Sequence, residues 1–200
     1  MRAIHRSKEM NSLSVTQKIG IVQIIPKADK DLRLLTNWRP LTLLNTFYKI
    51  ISGVLANRLK TVLDHLIGPE QKGYVPGRFI GEVTRTTYDI FQYAKEKNLP
   101  GMILLIDFEK AFDSVSFKMI DSTLEMFGFG QYYREWITIL LKDFKACINT
   151  SGNISKRFPV ERGCRQGDPI SGYLFILCIE FLAIALKSNE AIRSYKLRMI

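Results

Sequence analysis

Residues 102–107 read MILLID, a run of five apolar residues that ends in the carboxylate of Asp107. An uninterrupted apolar run is typical of a β-strand buried on both faces, because a strand with one face in water alternates apolar and polar residues. A strand that is covered twice needs other elements packed against it. The run therefore predicts a layered fold in which helices cover a sheet.

Helical periodicity elsewhere in the chain supplies the covering elements. Apolar residues from Leu44 to Leu66 recur at steps of three and four, which predicts a long amphipathic helix that stops at Gly68-Pro69. The other predicted elements are a strand at 18–27, helices at 82–97, 116–127, 131–143 and 168–188, loops at 28–37 and 71–83, and a hairpin at Ser151-Gly152-Asn153. Their order shows no regular strand–helix alternation and predicts an α+β fold.

Three helix boundaries carry specific signals. Ser116 is a favourable N-cap, and Gly128 suits the left-handed residue that ends a helix. Asp168-Pro169 is predicted to start the last helix, with the aspartate as cap and the proline in the first turn, where its missing N–H is harmless.

The charge of the chain is strongly positive and unevenly distributed. It carries 29 basic and 19 acidic residues, a net charge of +10. Residues 1–100 hold 16 basic and 8 acidic side chains, whereas residues 101–200 hold 13 and 11. A basic N-terminal half is typical of proteins that bind a polyanion, and it is equally compatible with a solvated surface that binds nothing.

The composition speaks against several classes of protein. The cysteines, Cys147, Cys164 and Cys178, form no Cys-x-x-Cys pair and only two histidines occur, so neither a zinc site nor a disulfide framework is expected. The N-terminus lacks the apolar core of a signal peptide, and the most apolar stretch, 173–186, contains Glu180 and is shorter than the ~20 residues of a membrane span. We therefore expect an intracellular protein, in the cytoplasm or nucleus, without a membrane partner.

Asp107 is the first candidate functional residue, since a carboxylate at the end of a buried strand must be compensated. No lysine or arginine alternates beside it, and Mg²⁺ prefers one or two carboxylates together with phosphate oxygens. Capping of the strand end is the alternative. Asp113 either shares the face of Asp107, if the chain stays extended, or caps a turn or pairs with a lysine.

Residues 162–171, RGCRQGDPIS, form the second candidate feature. Two arginines, two glycines and Gln166 stand directly before the predicted start of a helix. Glycines allow close backbone approach and a helix N-terminus attracts anions, so the stretch suits a polar ligand; an ordinary loop before a capped helix explains it equally well.

Three basic residues have rigid neighbours. Lys27 follows Pro26, Arg39 stands between Trp38 and Pro40, and Arg78 lies within GYVPGRF. A guanidinium group held in this way suits bidentate bonding to phosphate oxygens. The alternative is pairing with nearby acidic residues, for example Asp29 or Glu82.

Taken together, the motifs resemble one family. In chain order they read IIPK, NWRPLTLLNTFYKIISGVLANRL, QKGYVPGRFI, LLIDFEKAFDSV and RQGDPISGYLF. This order and spacing closely resemble the reverse transcriptases of LINE-type (non-LTR) retrotransposons over about residues 19–188. Residues 1–18 are polar and irregular in pattern and are expected to form a loose or peripheral segment. The resemblance implies right-hand polymerase architecture, with fingers at 19–100, a partial palm at 101–200, an antiparallel sheet, packed helices and no thumb.

The resemblance also implies roles for individual residues. Asp107 matches the carboxylate that binds catalytic Mg²⁺, with Mn²⁺ as an alternative, and the carbonyl of Phe108 faces the same metal. Phe112 matches the aromatic steric gate that excludes a 2′-OH and so selects deoxynucleotides. Gln166 and Gly167 match the loop against the incoming nucleotide and template.

The basic positions receive roles by the same resemblance. Arg165 belongs to the nucleotide and template loop. Lys27 and Arg39 match fingers positions that hold the triphosphate, and Arg78 matches a loop near the template. The implied partners are an RNA template, a DNA primer and deoxynucleoside triphosphates, joined by two-metal nucleotidyl transfer.

The match lacks one part that the chemistry requires. Members of this family carry a second acidic site, an Ala-Asp-Asp hairpin after the RQG helix, whereas this sequence contains no Asp-Asp pair and its last aspartate is Asp168. We therefore expect the 200-residue chain to be a fragment without polymerase activity of its own. The alternatives are a non-catalytic RNA- or DNA-binding remnant and an RNA-dependent RNA polymerase, and Phe112 argues against the latter because it offers no polar group to a 2′-OH.

Overall fold

The computed structural model describes residues 2–150 and 152–192 as a small sheet packed with several helices, which agrees with the predicted α+β class at that level. The helices are α1 (Arg2–Glu9), α2 (Thr46–Lys60), α3 (Leu63–Leu66), α4 (Gly81–Glu96), α5 (Ala111–Ser114), α6 (Phe117–Met126), α7 (Gln131–Leu141) and α8 (Ser171–Lys187). The strands are β1 (Ile19–Pro26), β2 (Trp38–Leu44), β3 (Lys145–Thr150), β4 (Asn153–Ile154) and β5 (Phe158–Pro159).

The sheet is mixed rather than antiparallel. Strand β1 pairs antiparallel with β2, so that Gly20 lies opposite Leu44, and parallel with β3, so that Gly20 also lies opposite Ala146. Strands β4 and β5 both pair antiparallel with β3. The predicted all-antiparallel sheet is therefore wrong, because the chain between β1 and β3 makes a long connection through β2 and helices α2 to α7, and a long connection allows a parallel pair.

Strand β2 has no counterpart among the predicted elements. Its sequence, WRPLTLL, contains Pro40, which argues against the interior of a sheet. Within the described sheet β2 stands at one end of the strand order, where a proline can turn its missing N–H away from the ladder.

The predicted buried strand at 102–107 is absent. These residues have no regular secondary structure, and the side chains of Met102 to Ile106 are all more than half exposed, Leu105 to 87%. Among the described residues no backbone hydrogen bond involves 101–108. A strand exists only when a neighbouring strand accepts and donates its ladder bonds, and the described chain places none beside this segment.

The hydrophobic core lies between α2, α3, α6, α7 and α8. Its largest fully buried side chains include Tyr48, Leu59 and Leu63 from α2 and α3, Ile120, Leu140 and Leu177 from α6, α7 and α8, and Phe144 directly before β3. The predicted helix over Leu44 to Leu66 is split at residues 61 and 62 into α2 and α3. Residue 100, the predicted boundary between fingers and palm, stays a prediction; both sides of it contribute to this core.

Local signals placed several helix boundaries correctly. The Ser116 hydroxyl accepts a hydrogen bond from the backbone N–H of Met119 at 3.1 Å, which makes Ser116 the N-cap of α6. Gly128 follows the end of α6 with φ of +77°, the left-handed conformation that ends a helix.

The N-terminal segment differs from the irregular structure predicted for it. Residues 2–9 form α1, and Lys8 forms an ion pair with Glu135 of α7 while lying 4.6 Å from the centroid of the Tyr132 ring. Leu13 is buried in the core. Contacts with α7 and with the core therefore hold a segment whose polar composition suggested a loose chain.

No helix in the described ranges is both long enough and apolar enough to cross a membrane.

Candidate functional site

The loop at 162–168 is fixed against the free side of strand β2. The backbone N–H of Thr42 donates a hydrogen bond to the carbonyl oxygen of Gln166 at 2.9 Å. Gly167 adopts φ of +101°, and a Cβ atom at this position would lie 2.8 Å from the Thr42 carbonyl oxygen. Only glycine allows this close approach without displacing the backbone of Thr42. The loop is therefore packed directly against the edge of β2.

Arg165 and Asp168 flank Gln166 and Gly167, and both charged side chains are buried, at 5% and 7% exposure. They meet through α2. The phenol of Tyr48 donates a hydrogen bond to Asp168 Oδ2 at 2.9 Å, and Arg165 Nη1 donates to the Tyr48 oxygen at 2.6 Å. The Ser52 hydroxyl donates to the other carboxylate oxygen, Oδ1. The buried carboxylate thus accepts from two hydroxyl groups of one helix and from the Ile170 N–H at 3.4 Å.

Arg165 points into the core. Its guanidinium carbon lies 3.7 Å from the centroid of the Phe144 ring, and Nη2 donates to the Leu141 carbonyl at 3.2 Å, at the end of α7. A cation is favourable at a helix C-terminus. The Arg165 side chain is therefore turned away from solvent in this structure, and the role of Arg165 in the nucleotide and template loop stays a prediction.

Asp168 is not the cap of α8. That helix begins at Ser171, and its N-cap residue, Ile170, makes no side-chain capping bond. The predicted helix start at 168 is wrong by three residues. The hydroxyl groups of Tyr48 and Ser52 donate to the carboxylate, and the Ile170 N–H donates to Oδ1 at 3.4 Å, so Asp168 connects α2 to the turn before α8.

Phe112 lies beside the same loop. Its ring stacks on Phe175 of α8 with 4.7 Å between centroids, and Tyr74 approaches it edge-on at 6.0 Å. The Phe112 carbonyl accepts a hydrogen bond from the backbone N–H of Cys164 at 2.7 Å. Phe112 and the loop that carries Gln166, two parts of the predicted site that are far apart in sequence, are therefore joined by a direct hydrogen bond.

A cavity of about 130 Å³ opens between this unit and the sheet. Residues that line it include Thr42, Asp113, Phe144, Arg162, Arg165 and Gln166. Partial burial raises the pKa of the Asp113 carboxyl, and the positive charge of Lys110 opposes the shift. Asp113 thus lines this cavity. The sequence alone left open whether Asp113 shares a face with Asp107.

Asp107 and Phe108 lie outside this arrangement. Both are exposed in the irregular segment before α5, and the Asp107 carboxylate has no hydrogen bond or ion pair with any described residue. The described residues include no group of three or more His, Cys, Asp or Glu side chains that could hold a metal ion. Asp107 is free to bind a cation, but the part of the chain that the structure describes does not complete a magnesium site around it.

Lys27 and Arg39 lie at the same end of the β1–β2 pair. The Lys27 ammonium donates to the Thr36 carbonyl at 2.8 Å, which ties it to its own loop. Arg39, opposite Ile25 in the register, is exposed, and its side chain has no hydrogen bond or ion pair with the described chain. Of the two residues, Arg39 is therefore the one whose charged group remains free to bind a ligand.

Arg78 ties its loop to helix α3 and to the residues that follow that helix. Its guanidinium group pairs with Asp64 at 2.8 Å and donates to the carbonyl oxygens of Ile67 at 3.0 Å, Gly68, and Gln71 at 2.9 Å. The acidic partner is Asp64 rather than Asp29 or Glu82, which the sequence suggested. Every donor nitrogen of Arg78 is occupied, which is typical of a residue that holds a loop together; its template contact stays a prediction.

Sequence reasoning missed Tyr48 and Ser52 as parts of the site. The helical pattern from Leu44 to Leu66 includes Tyr48 on its apolar face, and Ser52 lies one turn further on the same side. The one available signal was the phenol itself, because a buried tyrosine hydroxyl almost always has a polar partner. Its partner at 168 cannot be read from the local sequence.

Comparison with known proteins identifies the family. Residues 25–195 match the family described as reverse transcriptase (RNA-dependent DNA polymerase). The chain is 33% identical over 187 residues to the transposon TX1 uncharacterized 149 kDa protein of Xenopus laevis, covering 93% of this chain and 14% of that protein. It is 31% identical over 172 residues to a retrovirus-related Pol polyprotein from the type-1 retrotransposable element R2 of Popillia japonica, covering 84% of this chain and 24% of that protein.

A third relative belongs to the same group. The chain is 26% identical over 153 residues to the Pol polyprotein of the type-2 retrotransposable element R2DM of Drosophila melanogaster, covering 76% of this chain and 14% of that protein. The chain thus spans a quarter or less of the length of these relatives. The relatives confirm the predicted relation to non-LTR retrotransposons, and the chain belongs to the reverse transcriptase (RNA-dependent DNA polymerase) family.

Proposed function

We propose that this chain is the fingers and part of the palm of an RNA-directed DNA polymerase, and that its 162–168 loop and Phe112 face the incoming deoxynucleotide. One observation carries the proposal. The Cys164 N–H bonded to the Phe112 carbonyl at 2.7 Å and the Thr42 N–H bonded to the Gln166 carbonyl at 2.9 Å fix both predicted nucleotide-facing positions to one loop, and Gln166 lines the cavity beside it.

Discrimination between sugars is assigned to Phe112. Its ring is held by Phe175 and Tyr74, so it cannot rotate away from a bulky group without losing both aromatic contacts. A fixed ring excludes a 2′-OH by contact, which selects deoxynucleotides. This role supports DNA synthesis over the RNA-polymerase alternative.

Recognition of the triphosphate is assigned to Arg39, with Lys27 beside it. Arg39 is exposed and unpaired within the described chain, and it lies on β2, the strand whose Thr42 holds Gln166. A free guanidinium group can form two parallel hydrogen bonds to phosphate oxygens. The net charge of +10 would add sequence-independent attraction to a nucleic-acid backbone, and such attraction weakens as salt rises.

Catalysis would require a divalent cation, which in this proposal is held by Asp107 and the Phe108 carbonyl. The metal site is not complete in the described residues, and the sequence contains no Asp-Asp pair. Mg²⁺ needs several oxygen ligands in near-octahedral geometry, and a single exposed carboxylate binds it weakly. We therefore expect this chain to bind RNA and deoxynucleoside triphosphates but not to polymerise alone.

Two assays test the proposal. Primer extension with the purified chain, Mg²⁺ or Mn²⁺, and a primed RNA template should give no incorporation beyond that of Asp107→Ala. Equilibrium dialysis with a deoxynucleoside triphosphate should show binding that Arg39→Gln weakens. Arg85→Gln is the matched control, because Arg85 is an exposed arginine on α4 that pairs with Asp89.

The outcomes separate the competing functions. Incorporation above the Asp107→Ala background would contradict the expected inactivity. Salt-dependent RNA binding without any triphosphate binding would favour the non-catalytic nucleic-acid-binding alternative. RNA binding that is insensitive to salt would contradict both.

A further inference from the structure

Gln166 and Gly167 lie at the protein surface between two residues whose side chains are buried. Arg165 and Asp168, on either side of them, are each more than nine-tenths buried, whereas Gln166 is half-buried and Gly167 is exposed. The two flanking side chains point inward and reach the same helix, α2. The position of Gln166 and Gly167 is therefore fixed by the contacts of these two buried side chains with α2.

Tyr48 is the residue that joins the two buried side chains, Arg165 and Asp168. The described chain shows no direct ion pair between Arg165 and Asp168; the Tyr48 oxygen accepts from Arg165 Nη1 at 2.6 Å and donates to Asp168 Oδ2 at 2.9 Å. Burial raises the pKa of Tyr48 well above its usual value, so the phenol keeps its proton and can donate. One hydroxyl thereby fixes the spacing between the side chains on both sides of Gln166-Gly167.

The loop is held on three sides. Arg165 is bound to the carbonyl end of α7 through Leu141 at 3.2 Å, Asp168 is bound to α2 through Tyr48 and Ser52, and Gln166 is bound to β2 through Thr42. Two charges buried in this way cost desolvation free energy that apolar side chains would avoid. Their presence is better explained by the position that they impose on the loop than by stability.

We propose that Tyr48, supported by Ser52, is a positioning residue for the Gln166-Gly167 loop, and that Arg165 acts through Tyr48 rather than on the nucleotide. The inference rests on the proposed function of that loop as the surface that faces the incoming deoxynucleotide. Loss of the Tyr48 hydroxyl would release Arg165 from Asp168 and let the loop leave the Thr42 edge.

The test compares Tyr48→Phe with Tyr133→Phe. Tyr133 is a matched control, because its hydroxyl also donates to α2, to the Leu55 carbonyl at 3.0 Å, but lies away from the loop. Amide hydrogen exchange is measured residue by residue on the whole chain. Tyr48→Phe should speed exchange of the Thr42 and Asp168 amides by about fivefold or more, the effect expected from one lost hydrogen bond, and Tyr133→Phe should leave both unchanged.

Equal acceleration at Thr42 and Asp168 in both variants, or none in Tyr48→Phe, would overturn the proposal. Should Tyr48→Phe fail to fold, Ser52→Ala removes the second donor to Asp168 while keeping Tyr48, and should speed the same two amides. Unchanged exchange of the Thr42 and Asp168 amides in Ser52→Ala would contradict the proposal that α2 positions the loop.

A second readout separates this inference from the function on which it rests. The dissociation constant for a deoxynucleoside triphosphate should rise in Tyr48→Phe and not in Tyr133→Phe, at a temperature where both variants are folded. If the wild-type chain binds no triphosphate, the proposed function of the loop is contradicted, while the exchange rates at Thr42 and Asp168 still decide whether Tyr48 positions it.

Discussion

The phenol of Tyr48 donates a hydrogen bond to Asp168 across 2.9 Å, and 120 residues of sequence separate the two. Tyr48 is fully buried on the first core helix, and Asp168 stands before the last helix. The bond therefore connects the basic N-terminal half of the chain to the loop that carries the predicted nucleotide-facing residues. We therefore expect this hydrogen bond to affect the stability of the chain, the position of the 162–168 loop and the hydrogen bonding of the buried Arg165 side chain.

Removal of the Asp168 carboxylate should be strongly destabilising. Asp168→Ala leaves Arg165 buried without a linked negative charge, and breaking a buried charged network in this way costs about 3–5 kcal/mol. Tyr48→Phe combined with Asp168→Ala should cost less than the sum of the two single changes, with a coupling of about 0.5–3 kcal/mol. Urea unfolding of all four proteins measures both quantities.

Asp121→Ala is the control for this cycle. Asp121 also pairs with an arginine, Arg134 at 2.9 Å, but its side chain is 46% exposed, so its removal should cost no more than about 1 kcal/mol. Additive losses in the Tyr48–Asp168 cycle would show that the two groups do not act together.

Gly167→Ala should destabilise the chain and loosen the loop. The backbone at Gly167 has φ of +101°, and the new Cβ would lie 2.8 Å from the Thr42 carbonyl oxygen, so both strain and a clash with backbone arise. We expect a loss of about 1–3 kcal/mol in the free energy of unfolding, measured in urea.

Gly53→Ala provides the opposite case. Gly53 lies inside α2, and an added methyl group would meet no neighbouring group within 4 Å, so alanine should stabilise the helix by about 0.5–1 kcal/mol. A Gly167→Ala protein as stable as the wild type would show that the contact with Thr42 is not tight.

Arg78→Lys should open the loop that follows α3. Lysine retains the charge but cannot reproduce a planar group that binds the Asp64 carboxylate and four backbone carbonyls at once. The part-buried carbonyls of Ile67, Gly68 and Gln71 lose charged donors, and we expect a loss of about 1.5–3 kcal/mol in unfolding free energy. Arg85→Lys, on an exposed ion pair of α4, should change it by less than about 0.5 kcal/mol. Equal losses in the two variants would argue against a structural role for Arg78.

Stability should fall in alkali because of a buried thiol. Burial raises the pKa of the Cys164 thiol from 9.0 to about 12. Below pH 9.0 the thiol is protonated in both states; between 9.0 and about 12 the unfolded chain loses the proton and the folded chain keeps it. The free energy of unfolding should therefore fall as pH rises, by at most about 1.4 kcal/mol per pH unit for this group.

Cys164→Ala should reduce the slope of unfolding free energy against pH in this window. Burial also raises the pKa of Cys178, Tyr48 and Tyr133, so part of the alkaline loss remains. Cys147→Ala, at another buried cysteine, is the control for the loss of packing. An identical slope in wild type and Cys164→Ala would contradict the assignment.

Features set by neighbouring residues could be read from the sequence. Ser116 and Gly128 bound helix α6 as predicted, because a hydroxyl cap and a left-handed glycine act within a few residues of the helix end. The first strand and the positions of α4 and α7 also followed from local pattern. The order of the five motifs identified the family, which the comparisons confirm.

Features that depend on distant partners could not be read in this way. The run at 102–107 has the composition of a buried strand, yet it is exposed, because the described chain provides no strand to pair with it. Asp168 has the sequence context of a helix cap, yet its carboxylate lies against Tyr48 and Ser52.

The sequence by itself determined the family, the local helix ends and the chemical types of the candidate residues, because each depends on residue order or on near neighbours. Only the tertiary structure decided which candidates are free and which are engaged. Within the described chain, Arg39 and Asp107 remain available to ligands, whereas Arg165 and Arg78 are bound within the protein. The reason is physical: a charged side chain takes the partners that folding brings to it, and those partners lie far away along the chain.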